Sequence, residues 1–242
     1  MKREVEEQRA KTREGCKKEA QDLWREGDVG KAKKIFARGI DVTPEMARQF
    51  IEVLKKRSIE YIVAPYEADA QMAYLCINKN VSLVITEDSD LLAFGCRKVL
   101  FKLDNDGTGD EINTDDFYKT LELSALGEDP DTFLKACILS GCDYLDSIKG
   151  IGLKTALKFM GASNDIDKVL CLIDRENKYV VPTTYKKDFE KAFLTFKFQT
   201  VYDTQQKRLV YLNPFEGTPY TAIHGYESKD FLGPYVVVVI LI

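Results

Sequence analysis

The sequence predicts an α/β fold in which a parallel sheet is covered by helices. Short β-rich runs occupy residues 59–65, 81–86 and 98–103, and residues 66–79 between the first two have a helical pattern. A strand–helix–strand order is typical of parallel sheets whose faces are covered by helices. Helical patterns dominate on both sides of this region, which places the sheet in the middle of the chain.

The N-terminal part is predicted to be helical. Residues 4–26 are rich in helix-forming charged residues and contain no proline, which favours one long helix. A turn is expected at residues 25–30 and a shorter helix at residues 31–40. Thr43 and Pro44 then fit the N-cap and the first position of a third helix.

The C-terminal half is predicted to be mainly helical. Residues 104–111, "DNDGTGDE", indicate a hairpin-like loop, and helical patterns resume from Asp129. Residues 147–161 indicate a tight turn that opens a helix, and residues 185–200 indicate a further helix. The pattern divides the chain into segments 1–58, 59–128 and 129–242.

Composition indicates a globular protein with one sizeable core. The chain has 242 residues, of which 45% are hydrophobic and 31% are charged. The longest apolar run, residues 235–242, is far shorter than the ~18 residues that a membrane helix needs. The highly charged N-terminus does not resemble a signal peptide. We therefore expect no membrane partner.

Cysteine and histidine usage argues against two classes of site. The chain has 6 Cys and 1 His, and the cysteines are scattered without a CxxC motif. A Cys/His zinc site and a disulfide framework are therefore both disfavoured. Reduced thiols of this kind are expected in the nucleus or the cytosol.

Charge is unevenly distributed along the chain. The net charge is −4 overall, but residues 1–60 carry +4, residues 61–150 carry −10 and residues 151–242 carry +2. An acidic centre between two basic flanks is either ordinary surface variation or a sign of function. Charge alone leaves both interpretations open.

Acidic side chains follow two of the predicted strands. Glu67 and Asp69 come just after residues 59–65, and Asp88 and Asp90 come just after residues 81–86, while Asp143 follows an apolar helical run. The carboxyl ends of parallel strands form the ligand-binding edge of an open sheet, so these acids are expected to converge. Two carboxylates 4 Å apart repel by about 4 kcal/mol at an effective dielectric constant of 20.

Such convergence favours bound cations. Oxygen ligands without histidine indicate Mg²⁺ or Mn²⁺, and two such ions suit in-line attack on a phosphodiester. The alternative is that each acid caps a helix N-terminus, where carboxylates are common. The residues themselves leave both interpretations open.

Four motifs in order carry a resemblance to a known family. "APYEADAQMAYL", "VITEDSDLLAFG", "ILSGCDYL" and "GIGLKTAL" closely resemble the flap-endonuclease superfamily of structure-specific 5′ nucleases. "LLAFG", "KVLFKLD" and "SGCDYL" are most similar to its exonuclease 1 branch. The resemblance runs from about Lys2 to Tyr235. It implies a parallel-sheet, PIN-like nuclease core over residues 59–128, a helical arch and following helix over 1–58, and a helix–two-turn–helix region within 129–242.

The resemblance also implies a set of metal ligands and catalytic cations. Two Mg²⁺ ions, or Mn²⁺, would be held by the matching carboxylates Glu67, Asp69, Asp88, Asp90 and Asp143. Lys2 and Arg9 match basic arch residues that grip phosphate near the scissile bond, and they lie seven residues apart on one helix face. Arg13 extends this stripe as a DNA contact. Without the resemblance, a solvated charged helix explains these cations equally well.

The segment "KGIGLKTA" resembles the helix–two-turn–helix element of the family. Gly150 and Gly152 allow the backbone to approach a phosphate, the following helix offers free N–H groups, and Lys149 and Lys154 add positive charge. An ordinary glycine-rich turn is the alternative. The resemblance further implies a K⁺ site that matches three residues, Ser140, Ser147 and Ile151.

Part of the family pattern has no counterpart in the sequence. The first strand of the family and two of its aspartates would precede Met1, so we expect an N-terminally truncated chain. The resemblance implies a nuclear 5′→3′ double-stranded DNA exonuclease and 5′-flap endonuclease of mismatch repair and recombination. Its partners would be DNA with 5′ ends, nicks, gaps or flaps, and mismatch-repair proteins bound through a tail. The alternative is a weak or inactive DNA-binding fragment.

Overall fold

The computed structural model describes residues 2–127, 129–214 and 230–232. His224 and the apolar run at residues 235–242 lie outside these described residues. The chain forms two compact units, one up to Ile62 and one that starts at Val63. None of the helices in the described part combines the length and apolar character needed to cross a membrane.

The first unit contains three helices within its described residues. Helix α1 (Lys2–Arg25) and helix α2 (Val29–Arg38) form a hairpin around a turn at Gly27, whose φ is +90°. Small buried side chains allow the two helices to approach closely, namely Cys16, Ala20 and Ala32. Asp28 caps α2 by accepting a hydrogen bond from the backbone N–H of Lys31 at 3.1 Å.

Helix α3 (Pro44–Lys56) begins as the sequence predicts. The Thr43 hydroxyl accepts a hydrogen bond from the backbone N–H of Met46 at 3.2 Å, and Pro44 occupies the first helical position. Proline is favoured there because its missing N–H would have no intrahelical partner. The predicted start of this helix is therefore confirmed.

The second unit contains a small mixed sheet. Strand β1 (Val84–Ile85) pairs in parallel with β2 (Lys98–Phe101), and β2 pairs antiparallel with β3 (Asp110–Asn113). The prediction of a parallel sheet holds only for the first pair. The β2–β3 loop reverses the chain in eight residues, with positive φ at Lys102 and Gly107, and so short a connection returns antiparallel.

The predicted strand at residues 59–65 does not form. These residues have no regular secondary structure, and no strand in the described part of the chain pairs with them. β-rich composition alone does not form a strand, because backbone N–H and C=O groups need a neighbouring strand to bond. The segment instead crosses from the first unit to the second as an irregular connection.

Helices and one further hairpin complete the second unit. The helices are α4 (Ala68–Ile77), α5 (Asp90–Ala93), α6 (Leu121–Ser124), α7 (Pro130–Ser140), α8 (Leu153–Ala162), α9 (Ile166–Arg175) and α10 (Tyr185–Phe198), with 3-10 turns at Thr114–Lys119 and Asp230–Leu232. Strands β4 (Thr200–Asp203) and β5 (Arg208–Tyr211) form the hairpin, which the sequence analysis missed. One core joins α4, β2, α7, α8, α9 and α10.

The hairpin is fastened to α4 by polar side chains. The side chain of Gln71 makes two hydrogen bonds to the backbone of Tyr202, at 3.0 Å and 2.7 Å. The Tyr74 hydroxyl donates to Asp203 at 2.8 Å. The backbone N–H of Gln206 is the largest cause that lowers the pKa of Asp203, and the hydrogen bond from Tyr74 contributes. These bonds fix the position of α4 in the second unit.

The pKa of Asp203 predicts a pH-dependent contribution to stability. Because its folded pKa lies below its ordinary value, the charge stabilises the fold above about pH 4, and the contribution is lost as pH falls through the folded pKa. We expect Asp203→Asn to lower the unfolding free energy by about 1–2 kcal/mol at pH 7. Urea unfolding from pH 7 down to pH 3 should show the difference shrinking. Asp106→Asn, in an exposed loop, is the control. If the loss of unfolding free energy in Asp203→Asn is the same at pH 7 and pH 3, this assignment is contradicted.

Candidate metal and DNA-binding site

Glu67 is a buried carboxylate at the start of α4. Its backbone is extended, with φ −110° and ψ 140°, and its side chain does not cap the helix. Only 9% of the residue is exposed. The carboxylate accepts hydrogen bonds from the hydroxyl of Tyr144 and from Nε2 of Gln199, the latter at 3.1 Å. The helix-cap interpretation therefore fails for Glu67, whereas Asp69, half-buried in the first turn of α4, also suits the helix dipole.

Asp88 and Asp90 lie in the loop that leaves β1 and enters α5. The backbone N–H of Asp88 donates to the Thr86 hydroxyl at 3.0 Å, and the backbone N–H of Asp90 donates to Oδ1 of Asp88 at 3.0 Å. The exposed carboxylate of Asp88 therefore shapes this turn, as the capping alternative predicts. Glu87 faces a different partner, since it accepts from the backbone N–H of Lys102 at 3.0 Å.

Asp143 lies in a tight turn after α7. Cys142 and Leu145 exchange backbone hydrogen bonds of 2.9 Å and 3.2 Å across this turn. Gly141 permits the reversal because its φ is +102°, a conformation that residues with a Cβ rarely adopt. Asp143 is half-buried.

Electrostatic effects show that three of the acids share one neighbourhood. Burial raises the pKa of Cys142 to about 11, and the charges of Asp90 and Asp143 add to this shift. Burial also raises the pKa of Tyr144, with further contributions from the charge of Glu67 and then from Asp90. Glu67, Asp90 and Asp143 therefore act on adjacent groups in the turn between α7 and α8.

Within the described residues, the acidic side chains do not form a complete set of metal ligands. Across the described residues, no three His, Cys, Asp or Glu side chains stand close enough to hold a metal ion. The donor types nevertheless suit a hard divalent cation, because they are carboxylates without histidine or thiol ligands. Assignment of the five acids as metal ligands stays a prediction.

The turn between α7 and α8 enters the N-terminus of α8 through two glycines. Gly150 has φ +91°, and the backbone N–H of Ile151 donates to the carbonyl of Ile148 at 2.8 Å. Gly152 occupies the N-cap of α8 without a capping side chain. The first N–H groups of α8 therefore lack a capping side chain, and Lys149 and Lys154 are exposed beside them.

One of the three predicted K⁺-site residues, Ser147, packs against Gly141, the residue that follows Ser140. A Cβ built on Gly141 would stand 3.2 Å from the backbone nitrogen of Ser147, so the chain next to Ser140 packs closely on Ser147. The Ser140 hydroxyl donates to the carbonyl of Cys137 at 2.7 Å. Ile151 is buried in the same turn region. Their role in binding K⁺ stays a prediction.

The predicted arch cations belong to α1 in the first unit. Arg9 is exposed, and Arg13 forms an ion pair with Asp41 at 3.4 Å. Such exposed pairs contribute only about 0–1 kcal/mol, so a phosphate could displace Asp41. Lys2 is the first residue of α1, and its side chain lies outside the described part of the structure.

Sequence reasoning missed the residues that surround Glu67. Tyr144 directly follows Asp143 in "SGCDYL", but nothing in the pattern indicates that its hydroxyl reaches Glu67. Gln199, 132 positions from Glu67, is fully buried. A glutamine within the apolar run "FKFQTVY" was the available signal, because a buried amide needs polar partners.

Known proteins resemble this chain in sequence and in fold. Residues 58–143 match the XPG I-region family. Exonuclease 1 of Arabidopsis thaliana is 38% identical over 97% of this chain and 31% of its own length. Exonuclease 1 of Xenopus laevis is 42% identical over 88% of this chain and 30% of its own length. The chain thus spans about 30% of the length of these relatives.

Solved structures show the same fold. The catalytic core of Rad2 in complex with DNA substrate superposes with a TM-score of 0.53 at 24% identity, over 71% of this chain and 61% of that chain. The eukaryotic junction-resolving enzyme GEN-1 binding with potassium gives 0.51 at 19% identity, over 65% of this chain and 45% of that chain. At these identities the similarity establishes the fold alone.

Residues 58–143, which match the XPG I-region, carry the similarity of this chain to the flap-endonuclease superfamily of 5′ nucleases. Within that superfamily, its sequence similarity is to the exonuclease 1 branch. The solved structures confirm the predicted α/β nuclease fold, except that its sheet is mixed rather than parallel.

The two glycines of the α7–α8 turn should respond differently to substitution. Gly150→Ala forces a side chain into the left-handed region and places its Cβ 3.4 Å from the Tyr179 ring. We expect it to lower the unfolding free energy by about 1–2 kcal/mol. Gly152→Ala is the matched control, since its φ of −105° suits any residue and a Cβ there meets open space. Urea unfolding should show a loss of about 0.5 kcal/mol for the control, and equal losses would contradict the assigned turn geometry.

Proposed function

We propose that this chain provides the metal-binding and DNA-binding parts of a 5′→3′ exodeoxyribonuclease and 5′-flap endonuclease. The observation that carries the proposal is the buried Glu67 carboxylate, which shares its neighbourhood with Asp90 and Asp143. Burying a charge is costly, and a protein that keeps one beside further acids gains from a site for cations. The match of residues 58–143 to the XPG I-region supports the same function.

Each group of residues has a distinct role in this proposal. Two Mg²⁺ ions, or Mn²⁺, would supply an activated water and stabilise the leaving oxygen. The groups that hold them are the five carboxylates of Glu67, Asp69, Asp88, Asp90 and Asp143. Lys2 and Arg9 on α1 are the proposed phosphate-binding cations, as the resemblance to the family implies. Their positive charge offsets the charge that develops on the phosphate.

DNA binding rests on the turn between α7 and α8. The N-terminal N–H groups of α8 bind backbone phosphate, with Lys149 and Lys154 beside them. Gly150 and Gly152 permit the close approach, and Arg13 adds a contact from α1. A K⁺ ion at Ser140, Ser147 and Ile151 would strengthen the positive field of this turn. The GEN-1 enzyme, which shares the fold, binds potassium in its solved structure, and this supports the K⁺ part of the proposal.

Similarity to exonuclease 1 proteins supports a proposed cellular role. We place the protein in the nucleus, where it acts in DNA repair on 5′ ends, nicks, gaps and flaps. Mismatch-repair proteins are the proposed protein partners.

A second candidate function is DNA binding without cleavage. It is favoured by the finding that no group of three potential ligands closes around a metal within the described residues. Such a fragment keeps the phosphate-binding turn but holds metal too weakly to cut. Incubation of the chain with a 5′-flap duplex and Mg²⁺ separates the two candidates. Release of 5′ nucleotides supports the enzyme, and binding without release supports the fragment.

Neighbouring acids provide a sharp test of the metal assignment. We expect Asp88→Asn to slow flap cleavage by at least about a hundredfold, because it removes a charged ligand, while DNA binding stays within about twofold. Glu87→Gln is the matched control, since Glu87 accepts from the backbone of Lys102 and has no place in the proposed ligand set. Initial rates of cleavage in Mg²⁺ measure both variants. Full turnover by Asp88→Asn would overturn the metal assignment.

The basic turn should determine the salt dependence of DNA binding. Each phosphate contact contributes about 0.9 to the slope of log affinity against log salt concentration. We expect the double change Lys149→Gln and Lys154→Gln to reduce that slope by about 2. The control changes Lys158 and Lys178, which both pair with Glu176, to Gln. Fluorescence anisotropy at several salt concentrations gives the slopes, and an unchanged slope in the first variant would remove the turn from the interface.

A further inference from the structure

Glu67, Tyr144 and Gln199 form a hydrogen-bonded cluster in the interior of the second unit. The Tyr144 hydroxyl donates to Oε2 of Glu67. Nε2 of Gln199 donates both to that same oxygen and to the Tyr144 hydroxyl oxygen, each at 3.1 Å. The exposed fractions are 9% for Glu67, 7% for Tyr144 and 0% for Gln199. One carboxylate oxygen therefore receives two donors in a nearly dry environment.

The two donors are themselves held in place. The ring of Tyr144 packs edge-on against Phe196, with centroids 4.9 Å apart, and Phe196 packs on Phe94 at 4.8 Å. The backbone carbonyl of Gln199 accepts from the N–H of Leu212 at 2.9 Å, which ties it to the chain that leaves β5. Neither donor can move without disturbing the packing of α10. The carboxylate they contact is therefore held in one orientation.

The orientation of the Gln199 side-chain amide costs free energy. Its Oε1 is buried and has no hydrogen-bond partner among the described residues, although its Nε2 has two acceptors. A buried unpaired amide oxygen typically costs about 1–3 kcal/mol. The Gln199 amide is therefore oriented for the two hydrogen bonds of its Nε2, one of which reaches the Glu67 carboxylate.

We propose that Tyr144 and Gln199 are positioning residues that fix the Glu67 carboxylate for a divalent cation. This inference rests on the proposed function, because it takes Glu67 as a metal ligand. Groups that hold a ligand side chain in one orientation reduce the entropy that is lost when the metal binds. They therefore raise the affinity of the site for the metal. The two residues contact neither metal nor DNA in this assignment, and they act only through Glu67.

The test measures metal affinity directly, apart from cleavage. The whole 242-residue chain is titrated with Mn²⁺ while electron paramagnetic resonance follows the free ion. We expect Tyr144→Phe and Gln199→Leu each to weaken Mn²⁺ binding by about 10–100-fold. Tyr74→Phe is the matched control, since it removes a buried hydroxyl bond from α4, to Asp203, without touching Glu67. Its Mn²⁺ affinity should equal that of the unaltered chain.

A double-mutant cycle tests whether Tyr144 affects Mn²⁺ affinity through Glu67. In a Glu67→Gln background, Tyr144→Phe should cause no further loss of Mn²⁺ affinity, because the group it positions is already neutral. Thermal unfolding without metal confirms that each variant is folded. Equal Mn²⁺ affinity of Tyr144→Phe, Gln199→Leu and the unaltered chain would overturn the positioning role and leave the proposed function standing. A chain that binds no Mn²⁺ at all would overturn both.

Discussion

The buried carboxylate of Glu67 is the constraint on which the second unit depends. A carboxylate in a poorly solvated interior is stable only when donors or cations replace the lost water. The donors come from two distant parts of the chain, Tyr144 in the turn after α7 and Gln199 at the end of α10. Satisfying one charge thereby fixes the relative positions of α4, that turn and α10.

Aromatic packing extends this constraint to the other acids. Phe196 contacts both Tyr144 and Phe94, and Phe94 directly follows α5, the helix that Asp90 begins. On the opposite side, Gln71 and Tyr74 attach α4 to the hairpin β4–β5. The acids consequently lie on or next to elements that share one core. Side chains on a rigid framework keep the relative positions that a two-ion site needs.

Local chemistry could be predicted from the sequence, and long-range pairing could not. The start of α3 at Thr43 and Pro44 was predictable because an N-cap is decided within four residues. The strand predicted at residues 59–65 does not form, because a strand needs a neighbouring strand from another part of the chain. Sequence periodicity does not reveal whether such a neighbour exists. The acids of the candidate site were visible as motif residues. The residues that hydrogen-bond to Glu67 could not be predicted, because Glu67 and Gln199 come together only in the folded core.

Charge explains why binding and cleavage belong to different residues in the proposed function. Residues 61–150 carry a net charge of −10, so the acidic region repels the phosphates that it is proposed to cut. Affinity for DNA must therefore come from cations outside the ligand set, which the α7–α8 turn and α1 supply. Bound divalent ions would neutralise part of this negative charge beside the phosphate, so in the proposed function cleavage depends on metal loading whereas binding by separate cations does not. A chain with an incomplete set of ligands would then still bind DNA, because the residues that attract the backbone are separate from those that hold the metal.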